Sequence, residues 1–253
     1  MERIFIMIFL FAGIIPSVFG EAFIENDQQF IGDDKSLHVV GEITNNLKVP
    51  LSQINVIITL FDENKNQILV KEVNSLVNTI MPGMKGPFEL VLPSNEAKDT
   101  KSYSLNLDYE LSHPKSQVID ITESELSTDN HNNLIITGIV KNNGYITANT
   151  VAIIATLYDI EGNVAGVSRI HPEPDYLGVN DNTFFLVTIP DKIQNEQIKE
   201  YTLVAESEEY AAVPEFPIGT LVLLVVTLSV YVGVTRHSGK IITNLISATN
   251  LKS

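Results

Sequence analysis

The chain has no cysteine and no tryptophan, and only 16 Lys and Arg stand against 31 Asp and Glu in its 253 residues. Without thiols, disulfides, thiolate-bound zinc, iron–sulfur clusters, blue copper and thiol catalysis are excluded. The shortage of positive charge argues against nucleic acid or an anionic membrane face as a partner. Motifs of chemistry are missing too. There is no G-x-S-x-G elbow, no H-E-x-x-H, no phosphate-binding loop and no G-x-G-x-x-G. The five histidines, His38, His113, His131, His171 and His237, lack the paired spacing of metal ligands. The oxygen-rich stretches Asp129–Asn133 and Asn180–Asn182 lack the D-x-D-x-D-G spacing of a calcium loop and read as solvated loops before a weak calcium site. No N-x-S/T sequon occurs among the many asparagines. The expectation is a protein with no catalytic activity of its own, no cofactor and no metal.

The charge that is present is unevenly placed. Between Glu21 and Pro217 there are 30 acidic and 12 basic residues, and beyond Pro217 only Arg236, Lys240 and Lys252 are charged. Both ends are apolar. Ile4 to Ile15 is a run of signal-peptide length behind Arg3, Pro16 breaks it, and Val18 and Gly20 suit the −3 and −1 positions of a signal peptidase. This predicts a signal peptide over 1–20 with cleavage after Gly20; the competing reading is an uncleaved anchor. Ile218 to Thr235 carries no charge. As a helix at about 1.5 Å per residue it would span roughly 27 Å, close to the hydrocarbon thickness, whereas a strand is far shorter. The predicted transmembrane helix, 218–235, is preceded by Glu206, Glu208, Glu209 and Glu215 and followed by Arg236 and Lys240. The positive-inside rule therefore places residues 236–253 in the cytoplasm and the acidic body outside.

The body repeats itself. "VVGEITNNLKVPLSQINVIITLFDENKN" from Val39 matches "ITGIVKNNGYITANTVAIIATLYDIEGN" from Ile136, aligning Gly41 with Gly138, Asn45 with Asn142, Leu60 with Leu157 and Asp62 with Asp159. Phe88 and Pro93 continue the match to Phe185 and Pro190, all at an offset of 97 residues. Two copies of one domain follow, over 22–110 and 115–208. Each is written in period two. Ile54, Val56, Ile58 and Leu60 share one strand face, and Val151, Ile153, Ala155 and Leu157 repeat it. Asp62–Asn66, Asp159–Asn163 and Pro82-Gly83 read as turns, as do the Asn pairs, since Asn tolerates left-handed backbone. A first strand of the second copy is expected near Val118–Thr122. The fold class is all-β: two tandem immunoglobulin-like β-sandwiches of about 95 residues each.

Two resemblances sharpen this. The sequence G-x-(I/V)-x-N-N, then an apolar strand closing on Leu60-Phe61-Asp62 or Leu157-Tyr158-Asp159, resembles the FxLYD family of exported β-sandwich domains, although Ile58 and Ala155 stand where the naming Phe would be. The resemblance implies a fold and no catalytic residues. Pro214-Glu215-Phe216, set before the terminal apolar run and closed by Arg236, resembles the PEF-type C-terminal sorting signals of archaeal surface proteins. That implies processing by an archaeosortase-like membrane enzyme; the 17 residues beyond Arg236 depart from the pattern and keep a plain retained anchor open. The function expected is a membrane-anchored extracytoplasmic binding or structural protein of the cell surface, with a surface protein or glycan as ligand. The alternative is an accessory subunit of a membrane complex docking through its C-terminal helix. The loop His171–Gly178, with Tyr176 among prolines, is a candidate contact or a stiff connector.

Overall fold

The computed structural model describes residues 20–130, 133–189 and 198–215. Val18, Phe216, Arg236 and the apolar runs 4–15 and 218–235 lie outside the described residues. Among the described residues no helix is long and apolar enough to cross a membrane, and every regular element is a strand.

Among the described residues fourteen strands follow one another: β1 Ala22–Ile31, β2 Leu37–Asn45, β3 Leu51–Phe61, β4 Gln67–Asn74, β5 Thr79–Ile80, β6 Lys85–Leu92, β7 Ser102–Leu111, β8 Ile119–Thr128, β9 Leu134–Asn142, β10 Ala152–Tyr158, β11 Val164–Ile170, β12 Asn182–Ile189, β13 Glu200–Glu206 and β14 Val213–Pro214. They make four sheets. In the first half β1-β2-β6 faces the sheet in which β3 joins β4, β5 and β7; in the second half β12-β9-β8 faces β11-β10-β13-β14. The alternating rows point into the cores as their period requires: Val56, Ile58 and Leu60 in one half and Ile153, Ala155 and Leu157 in the other are fully buried.

The offset of 97 is a structural constant. It carries β1 onto β8, β2 onto β9 and β6 onto β12 with identical bounds, and it carries the Leu51–Ile80 pair of β3 and β5 onto the isolated bridge Ala148–Leu177. It slips once. Leu105 pairs with Ile58, and Leu203 pairs with Ala155, so β13 sits one residue later than β7 predicts. The first strand of the second copy runs to Thr128, well past the Thr122 expected from sequence.

The shared motif residues have shared jobs. Gly41 lies directly across from Phe88, and Gly138 from Phe185. A Cβ on Gly138 would come within 2.5 Å of the Phe185 ring, so the missing side chain makes room for the ring. Asp62 Oδ1 accepts from the backbone of Asn64 and Asn66, and Asp159 Oδ1 from Glu161 and Asn163, each at 2.8–2.9 Å, which braces both hairpin turns. Asp129 grips Asn133 in the same way. Asp129 and Asn133 are thus tied to each other, and among the described residues no group of His, Asp or Glu is arranged to hold a metal ion.

The Asn pairs correct the sequence reading. Neither Asn45 nor Asn142 has a positive φ, and both are fully buried. The Asn45 side-chain amide donates to Val49 O and Ile80 O while its oxygen accepts from Leu47 N; Asn142 does the same with Ile146 O, Leu177 O and Gly144 N. They are buried clasps that tie the β2–β3 loop to Ile80 of β5 and the β9–β10 loop to Leu177. Asn142→Leu should strand two carbonyls and an amide and cost about 2–4 kcal/mol, read as a lowered urea midpoint, given about 1–3 kcal/mol per stranded group and partial relief by water. A midpoint unchanged from the parent chain would refute the clasp.

Left-handed backbone falls elsewhere, again in register: Gln53 and Thr150, Lys65 and Gly162, Gly83 and Asn180. Lys65 holds φ 63° at the position where the other copy uses glycine. Lys65→Gly relieves that strain and returns part of the gain to the unfolded chain, so a rise of about 0.5 kcal/mol is expected in thermal unfolding.

Candidate functional site

The two halves meet through the outer faces of β1-β2-β6 and β11-β10-β13. Along β2 the residues of both faces are buried from Val39 to Asn45, and Ile154 and Ala152 of β10 join the apolar cluster of the first half. A cleft of about 230 Å³ remains at this junction, lined by Glu42, Lys85 and Pro87 from one half and by Tyr158, Thr202 and Val204 from the other.

Its chemistry centres on Glu42, only 1% exposed. The Tyr158 hydroxyl donates to Glu42 Oε1. Lys85 Nζ reaches Glu42 Oε2 at 3.0 Å and Glu25 Oε1 at 2.9 Å, and Asn26 donates to Glu42 at 3.1 Å. Thr44 donates to Glu25. Burial pushes the Tyr158 hydroxyl well above its ordinary range, and the Glu42 charge adds to the rise. The Thr44 hydrogen bond and then Lys85 hold Glu25 below the usual carboxylate range. Burial works to lower Lys85, but its two carboxylates outweigh that and hold the ammonium charged. Two carboxylates, one ammonium and one neutral phenol therefore form a closed, satisfied network. Its open side is the cleft, where Lys85 is about two-fifths exposed.

A second contact clamps the halves. Arg169 pairs with Glu206 at 2.8 Å, Arg169 also donates to Leu76 O, and the Glu206 carboxylate accepts from Asn78 N at 3.0 Å. One ion pair on the second half thus supplies both a donor and an acceptor to the backbone of the β4–β5 loop. Burial pushes Glu206 above the usual carboxylate range, with Arg169 pulling the other way.

These junction residues are where the copies differ. Phe61 stands at the repeat position of Tyr158, Ile139 at that of Glu42, Glu72 at that of Arg169 and Asp108 at that of Glu206. The repeat motif aligns Phe61 with Tyr158, and only the hydroxyl that Tyr158 adds reaches Glu42. No spacing rule finds it, since Glu42 and Tyr158 are 116 residues apart.

The sequence-predicted residues are placed as follows. Pro214 and Glu215 are part of the second half: Pro214 pairs with Val204, Glu215 N donates to Leu203 O, and Ser124 Oγ donates to Glu215 Oε1 at 2.6 Å. Gly20 lies against Asn46, where a Cβ would come within 1.8 Å of the Asn46 carbonyl oxygen, so packing by itself accounts for a glycine there. His38 Nδ1 meets Glu89 at 2.8 Å and its ring stacks on Phe30. In the loop His171–Gly178, Tyr176 is 57% exposed, while Asp175 O accepts from Val151 N and His171 Nδ1 meets Val151 O.

No protein-family model and no curated protein matches the chain. Solved structures that are similar to it include an exo-chitosanase CsxA of Amycolatopsis orientalis (TM-score 0.28, 11% identity, 75% of this chain and 26% of that one). Another is a red sea bream transglutaminase (TM-score 0.25, 8% identity, 79% of this chain and 31% of that one). The chain thus spans about a quarter to a third of the length of these proteins. Both of those proteins are enzymes, which stands against the expectation of no catalytic activity, and that expectation is not kept. At such TM-scores the likeness carries neither activity nor site residues to this chain.

Proposed function

We propose that the chain is a membrane-anchored extracytoplasmic protein of the cell surface whose two tandem immunoglobulin-like sandwiches act as one rigid binding or structural unit. The observation that supports this most is the order at the C-terminal end. The described residues reach Glu215, which is bonded into its sheet, and in the sequence the uncharged run begins at Ile218 with Arg236 and Lys240 beyond it. Such a layout holds the body close against the outer face of a membrane. The FxLYD and PEF resemblances agree with export. The ligand is a surface protein or a glycan.

Protease treatment of intact cells, followed by the mass of the mature protein, tests the reading. Loss of residues 21–210 from intact cells is expected. Their protection behind an intact membrane would end the proposal. A mature mass running to Ser253 assigns a retained anchor; a chain ending near Pro214–Phe216 assigns the processed form, in which the enzyme must first lift β14 from the sheet.

A further inference from the structure

The second sandwich fills one of its own sheet edges. After β13 the chain turns back, Val213 pairs with Ala205 and Pro214 with Val204, and Glu215 N donates to Leu203 O. Ser124 Oγ on β8 bonds the Tyr201 hydroxyl at 2.9 Å and the Glu215 carboxylate at 2.6 Å, closing the gap between the two sheets. The first sandwich has the same edge without the filler. Beyond Leu111 its chain leaves for β8, and among the described strands β7 pairs only with β3. At that place lies an open cleft of about 350 Å³, whose lining includes Ile24, Asp27, Tyr103, Leu105 and Leu107. Through the shared registers these are the counterparts of Ile121, Ser124, Tyr201, Leu203 and Ala205.

We propose that this cleft between β1 and β7 binds an extended peptide segment of a partner protein, added as an antiparallel strand to β7, with a lysine or arginine beside Asp27. An unpaired edge of this length offers the backbone groups that such strand addition uses. The side-chain preference follows from one exchange. In the filled edge Ser124 donates to an incoming carboxylate. In the open edge Asp27 replaces it, and Asp27 already accepts from the Tyr103 hydroxyl at 2.6 Å. An ionised carboxylate has only acceptors to offer, so the group arriving there must be a donor and is best a cation. The chain's own segment, with Glu215 at that position, is repelled from it. The acidic body around the cleft attracts a basic peptide further. The site is independent of where the chain is held.

The test uses the full-length chain in detergent and two fluorescein-labelled peptides, Ala-Ala-Val-Pro-Lys-Phe and Ala-Ala-Val-Pro-Glu-Phe, read by fluorescence anisotropy. The lysine peptide should bind at least about tenfold more tightly at low salt, with the preference shrinking as salt rises. Asp27→Asn retains the volume and an acceptor for Tyr103 while removing the charge, and should abolish the preference with little change in the unfolding midpoint. Amide resonances of Leu105 and Leu107 should shift on titration. No binding of either peptide at millimolar concentration, equal binding of both, or a preference that survives Asp27→Asn would each overturn the proposal.

Discussion

Replacing Arg169 with methionine should lower the stability of the chain at neutral pH by about 3–5 kcal/mol, the cost of leaving a buried charge without its partner. Glu206 is 1% exposed and its remaining bonds, to Asn78 N, do not neutralise it. The loss should be pH-dependent with a definite sign. Burial raises the folded-state pKa of Glu206 above its ordinary value of 4.5, and removing Arg169 removes the largest opposing influence. A carboxyl raised in the folded state is protonated more readily there than in the unfolded chain. Its penalty is therefore absent below the unfolded pKa and fully felt above the folded one. The variant should regain stability as pH falls from 7 towards 4.5. The other shifted carboxylates, among them Asp62, Asp159 and Glu25, are lowered by their partners, so their stabilisation is lost only at still lower pH. Urea midpoints at pH 7 and pH 5 check this; a variant equally weakened at both would show that Glu206 is not the charge at fault. Exchanging both partners for apolar residues of similar size should cost much less than removing Arg169 alone.

Phe185→Ala should cost about 3–5 kcal/mol, since the ring is fully buried and fills the space that Gly138 leaves. Gly138→Ala should cost about 1–3 kcal/mol, because its new carbon meets both the ring and the backbone oxygen of Glu123. The two losses should not add. With the ring gone, the methyl group enters part of the vacated space, and the double variant should lie at least about 0.5 kcal/mol above the sum. Strict additivity in denaturant unfolding would mean that the Glu123 carbonyl, not the ring, sets the cost of a side chain at position 138. The same cycle on Gly41 and Phe88 should behave alike, as their register is the same.

The fold was legible wherever one residue's job is local. The alternating rows of β3 and β10, the Asp-braced hairpins and the repeat itself all follow from periods and turns that a sequence states directly. The Asn pairs were found for the wrong reason. Their position before a loop was visible, but a buried side chain clasping a strand 35 residues away depends on partners that no local pattern names. The junction was less visible still. Glu42, Tyr158, Arg169 and Glu206 look like ordinary polar residues on strands, and only the meeting of two outer sheet faces brings them together. The cleft between β1 and β7 became apparent only once both copies could be laid on one another.

The way β14 is attached also decides how the body answers to force. It lies antiparallel to β13 at the end of a hairpin, and the chain leaves it at Glu215. A pull applied beyond Glu215 loads the Ser124–Glu215 contact and the Leu203 rung first, then Pro214, then Val213, one after another. Bonds loaded in turn give way at far lower force than bonds sheared together. The hairpin would therefore open as a short extensible tether, with Pro214 and Glu215 drawn out of the sheet, while the cores enclosed by β8–β13 and β1–β7 still stand.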